Sequence, residues 1–120
     1  MLTSSELTKL ERAALHRAIA KVAVPAWRDG LLRQVDSAHA TARTTKTTGY
    51  YVDFDVAPTL RIADLPDDFN KTPPEAEAHH SDGSNAVFFI VYVKNGVIAF
   101  MEASSTGDWP DNEDEILFDA

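Results

Sequence analysis

The chain has no cysteine among its 120 residues. That single absence excludes a disulfide framework, a thiolate zinc site and a thiol nucleophile. Glycine is scarce, five residues in all, and scattered, which leaves no phosphate-cradling loop or dinucleotide fingerprint. No apolar run approaches the roughly 18 residues expected of a membrane-spanning helix. Residues 1–6 carry neither a basic n-region nor an apolar h-region, so the expectation is no secretory signal. With the lack of cysteine this points to a cytoplasmic protein. Basic charge is the remaining scarcity: eleven Lys/Arg face nineteen Asp/Glu, a net charge of −8.

The charge is unevenly spread. Residues 1–60 hold eight Lys/Arg and six Asp/Glu, whereas residues 61–120 hold three and thirteen. Nucleic-acid affinity rests on phosphate neutralisation, so this balance argues against a DNA or RNA partner. It argues equally against an anionic membrane surface. A basic protein would instead be steered toward the acidic half.

What is present reads as one domain over residues 1–120. Thr3 and Glu6 match a capping box, with Leu2 and Leu7 at the hydrophobic-staple positions. Leu7, Leu10, Ala14, Leu15, Ala18, Ile19 and Val22 then recur at helical spacing, and Lys9, Glu11, Arg12 and Arg17 lie mainly off that face. The pattern predicts a helix over residues 4–21. Residues 25–36 predict a short second helix with Trp27, Leu31, Leu32 and Val35 inward, although Gly30 weakens it.

From Ala38 the period becomes two. Ala38, Ala40 and Ala42 alternate with polar residues up to Thr48, and Tyr50, Val52, Phe54 and Val56 alternate with Tyr51, Asp53 and Asp55. This predicts a hairpin turning near residues 46–49. Residues 57–74 form a proline-rich connection anchored by Leu60, Ile62, Leu65 and Phe69. Residues 75–80 predict a short strand. Residues 86–93 are continuously apolar and predict a central strand covered on both faces. Asn95-Gly96 then turns the chain into a strand over residues 97–103, and residues 116–118 can add a last strand. Helices followed by hairpins give an α+β fold. An N-terminal helix, with the short second helix as an addition, packs on one face of an antiparallel sheet of about four to six strands.

Few residues suggest chemistry. His79 and His80 lie near Glu75, Glu77 and Asp82, but adjacent strand residues point to opposite faces and no zinc spacing is matched. The acidic loop Asp108, Asp111, Glu113, Asp114 and Glu115 lacks the ladder and central glycine of a calcium loop. No nucleophile elbow surrounds Ser84. Catalytic, cofactor-binding and metal-binding residues are therefore not assigned, and no cofactor is expected. Asp53, Asp55 and Glu102 are the remaining acid–base candidates. They would need a cone-shaped body with an inward carboxylate whose pKa is raised.

Phe88 to Ile98, then Met101-Glu102, then Thr106 to Pro110 form an apolar strand, a glycine turn, a strand ending in an acid, and an acidic loop with Trp-Pro. This pattern resembles a set of small bacterial α+β proteins with no established activity. Some small acidic α+β proteins of this look are immunity proteins, which bind and block a cognate toxin; the analogy is one of fold. The resemblance implies a small acidic binding protein that neutralises a basic partner. Its expected partner-binding residues are Asp108, Trp109, Asp111, Glu113, Asp114 and Glu115, with Trp109 as anchor. One alternative is a small-ligand-binding or enzymatic pocket lined by Phe54, Phe89, Phe100 and a carboxylate base. Another is a homodimer through an exposed sheet face or edge.

Overall fold

The computed structural model describes residues 6–119. Its first helix, α1 (Lys9–Ile19), begins later than the sequence pattern suggests. Leu2 and Thr3 lie outside the described residues. The capping box is formed by Thr8 and Glu11 instead: the Glu11 N–H donates to Thr8 Oγ1, and the Thr8 N–H donates to Glu11 Oε1. Two orphan donors of the first turn are thereby satisfied. Pro25 opens the second helix, α2 (Pro25–Ser37), where its missing N–H costs nothing. Gly30 does not break α2. A side chain there would press on Ile62 Cδ1 at 2.8 Å, so the glycine admits the 57–74 connection against the helix.

Six antiparallel strands follow: β1 (His39–Lys46), β2 (Gly49–Asp55), β3 (Glu75–His80), β4 (Ala86–Lys94), β5 (Val97–Ser105) and β6 (Ile116–Phe118). They form one sheet in the order β1-β2-β5-β4-β3-β6. This is the α+β arrangement expected, with two helices on one face of a six-stranded sheet. The β4–β5 turn uses Asn95 and Gly96, both with positive φ, as a two-residue hairpin of this type requires. Gly96 is doubly constrained, because a Cβ would collide with the Ile62 carbonyl oxygen.

The core lies between helices and sheet. Leu15, Ile19, Leu31 and Val35 meet Val52, Val87, Phe89, Val91, Met101 and Ala103, all fully buried. Leu60, Ile62, Leu65 and Phe69 pack against this core from the long connection. Gln34, also fully buried, fastens α2 to the sheet. Its Nε2 donates to the Leu60 and Gly96 carbonyls, and its Oε1 accepts the Ile98 N–H. That amide is freed where the β4–β5 register shifts beside Tyr92 and Val93.

Two expectations are corrected. The strand at 86–94 is not covered on both faces: Val87, Phe89, Val91 and Val93 are buried, whereas Phe88, Ile90 and Tyr92 alternate with them and remain half-buried. Both helices sit on the same side, so the opposite face of the sheet stays open. In β1, a register shift between Ala40 and Ala42 breaks the alternation. Ala40 is buried but Ala42 is exposed, and Arg43 turns toward the helices in its place.

Candidate functional site

The bulge in β1 delivers Arg43 to α1. Its guanidinium makes a two-pronged contact with Glu11, Nε to Oε2 at 2.9 Å and Nη2 to Oε1 at 2.8 Å. Tyr50 donates its hydroxyl to Glu11 Oε2 at 2.9 Å. Glu11 is therefore fully buried, contrary to its expected place off the apolar face. Burial alone pushes its carboxyl up. Hydrogen bonds from Arg43, the Thr8 N–H and Tyr50, with the Arg43 charge, outweigh burial and hold it below the usual carboxylate range. A carboxylate so saturated and so acidic is a structural anion rather than a general base. Tyr50 is pushed up, first by burial and then by the adjacent Glu11 charge.

Trp109 docks beside this node. Its ring meets Tyr50 and Phe89 edge-on, with centroids 5.5 Å and 6.4 Å away, and its indole N–H donates to Glu113 Oε2 at 3.0 Å. The indole and the Glu113 carboxylate thus hold each other on the helix side, along a cleft of about 480 Å³ shared with Glu11, Arg43 and Tyr50. Asp108, Asp111, Asp114 and Glu115 are exposed around it.

The other candidates separate. His79 faces outward, 3.3 Å from Asp119, while His80 faces inward with Nε2 3.2 Å from Ser105 Oγ. The described residues include no group of three or more His, Cys, Asp or Glu arranged to hold a metal. Phe54 and Phe89 are buried under the helices, but Phe100 lies on the opposite face, opposite Tyr92. The three phenylalanines do not share a pocket, and the sheet is open at β1 and β6 rather than curled into a cone. Asp53 and Asp55 are exposed on that open face. Among the described residues, no helix is long and apolar enough to cross a membrane.

The open face is where apolar and acidic groups meet. Strand pairing lays its side chains out in rows. One row runs Asp53, Phe100, Tyr92; the next runs Tyr51, Glu102, Ile90, Glu75; a third runs Ser104, Phe88, Glu77. Tyr92 and Phe100 stack with centroids 4.5 Å apart. Tyr51 and Leu117 are 38% and 44% exposed, and Leu117 extends the apolar surface beyond His79. Carboxylates flank this surface on both sides: Asp53 and Asp55 on β2, Glu75 and Glu77 on β3. Sequence reasoning missed the face because it assigned Phe88, Ile90 and Tyr92 to a doubly covered strand. The acids alternating with apolar residues in β2 and β3 were the available signal.

Glu102 sits within the face, held by its neighbours. Lys46 Nζ, 4.7 Å above the Tyr51 ring centroid, bonds Glu102 Oε2 at 3.0 Å. The Tyr51 and Ser104 hydroxyls donate to the same oxygen at 3.2 Å and 3.5 Å. The hydrogen bond to Glu102 raises the Lys46 pKa. Compared with protein-family models, curated proteins and solved structures, the chain matches none.

Proposed function

We propose that this is a small acidic binding protein that captures a basic protein partner on the open face of its sheet. The observation that carries the reading is the half-exposed cluster of Phe88, Ile90, Tyr92 and Phe100, flanked by Asp53, Glu75 and Glu77 with Glu102 set within it. Contiguous apolar surface rimmed by charge is the usual form of a protein interface, and a rim of one sign selects a partner of the other. Neutralisation of a basic toxin domain, in the manner of an immunity protein, falls within this reading. So does a cytoplasmic location, supported by the absence of cysteine.

Charge segregation supports the same orientation. Residues 6–37, which span the helices, hold six Lys/Arg and four Asp/Glu; residues 38–119 hold five and fifteen. The exposed acids at Asp108, Asp111, Asp114 and Glu115 add long-range attraction, with Glu113 contributing its charge from a half-buried position. Trp109 contributes rigidity rather than an anchor, because its ring and its N–H are already engaged.

Calorimetric titration with short designed peptides tests the reading. A peptide alternating arginine with leucine should bind. One alternating arginine with serine should bind more weakly, and one alternating glutamate with leucine should not bind. Tyr51→Thr with Tyr92→Thr should weaken the arginine–leucine peptide about tenfold or more, at physiological as well as low salt. Asp108→Lys with Glu115→Lys should matter chiefly at low salt, because screening removes exposed long-range attraction. Equal binding of all three peptides, or an unaffected tyrosine double variant, contradicts the proposal.

A further inference from the structure

Glu102 differs from the other acids of the open face in having its position fixed. Oε2 takes the Lys46 ammonium and the Tyr51 and Ser104 hydroxyls, whereas Oε1 accepts no hydrogen bond among the described residues. Ile90 stands directly across from it on β4, and beyond Ile90 stands Glu75 on β3. Neighbouring strands are about 4.8 Å apart, so the two carboxylates bracket the isoleucine over roughly 10 Å. A lysine or arginine side chain has the matching shape, with apolar methylenes ending in a cation.

Lys46 is such a group supplied by the chain itself. It reaches in from the edge strand β1, over Tyr51, and its side chain remains one-third exposed. A flexible cation at the sheet margin, with a third of its side chain in solvent, can be exchanged for another, since an ion pair open to water on one side contributes modestly.

Resting on the partner reading above, we infer that Glu102 is the receptor for one lysine or arginine head of the basic partner, and that Lys46 is a built-in competitor holding its place. The incoming head bonds Oε1, its methylenes cover Ile90, and Lys46 swings outward. Tyr51 and Ser104 keep the carboxylate oriented throughout, so little ordering cost falls on the binding step.

Two substitutions that break the same ion pair must then act in opposite directions. Titrated with the arginine–leucine peptide, Glu102→Gln should lose about tenfold or more in affinity. Lys46→Met should gain about threefold or more. Glu102→Asp, which keeps the charge, should retain more affinity than Glu102→Gln. Lys71→Met and Asp67→Asn change the charge by the same amounts in the 57–74 connection, and each should stay within about twofold of wild type. Thermal melts of every variant confirm folding, and the Lys46 arm stands independently if Glu102→Gln is unfolded. If the wild type binds on the open face but Glu102→Gln or Lys46→Met falls within the range of the controls, the receptor assignment is wrong and the surface proposal stands. If the wild type does not bind there at all, the surface proposal fails and takes this inference with it.

Discussion

Glu11 shows how one buried charge organises its surroundings. It closes the capping box of α1, pairs with Arg43 and accepts the Tyr50 hydroxyl, so both of its oxygens are occupied. Removing one member of a buried ion pair leaves the other uncompensated. Glu11→Gln should therefore cost about 3 kcal/mol in urea unfolding; a loss below about 1 kcal/mol contradicts the role given to this node. The pH dependence follows from the direction of its shift. Glu11 is more acidic folded than unfolded, so its contribution is complete above the unfolded glutamate value near 4.3 and disappears as pH falls through the folded value. Wild type and Glu11→Gln should converge in stability as the solution is acidified below about pH 4. Tyr50 is shifted the other way, so its contribution to stability should be lost as pH rises past about 10, where the unfolded phenol ionises, and Tyr50→Phe should lessen the alkaline loss, leaving the part that Lys46 carries. None of this was legible in the sequence. Glu11 lies on the expected polar side of the helical pattern, and its partner Arg43 is brought inward by a bulge that periodicity cannot register.

At the scale of elements, the readable features were those with strong local causes. Asn95-Gly96 between apolar runs gave the β4–β5 hairpin, and alternation gave β2 nearly to the residue. Helix α2 was harder to read because Gly30 speaks against it locally, yet the glycine is required by the close approach of Ile62. The second face of β4 was misread for a related reason: Phe88, Ile90 and Tyr92 carry the same apolar signal whether they face a core or remain half-open. Gln34 provides the test at this scale. It satisfies the Ile98 N–H at the β5 irregularity and two carbonyls besides. Gln34→Leu preserves approximate size but orphans the Ile98 N–H and the Leu60 carbonyl, while the Gly96 carbonyl keeps the Ile62 N–H, and should cost about 2 kcal/mol or more. A variant as stable as wild type would show that α2 is held by its leucine and valine contacts alone. Gly96→Ala should also destabilise by at least about 1 kcal/mol, combining a left-handed backbone with collision at the Ile62 carbonyl.

The whole molecule is two-sided in both hydropathy and charge. One face of the sheet is closed by helices whose residues are net basic. The other carries a stack of aromatics among carboxylates. The acidity of the second half was visible in composition, but its focus was not. The sequence directed attention to the loop around Trp109, where the indole is secured on the helix side, and away from the sheet face, which becomes visible only once strand order is known. Affinity for a basic peptide should fall as ionic strength rises from about 50 to 300 mM, while the part contributed by Tyr92 and Phe100 persists. The most direct measurement is an amide chemical-shift titration of the isotopically labelled chain with the arginine–leucine peptide at physiological salt. The account predicts that the shifts concentrate on residues 88–92 and 100–104, with Tyr51, Glu75 and Glu77, leaving the helices and Trp109 largely unmoved. Shifts confined to residues 108–115, or spread evenly over the surface, would contradict it.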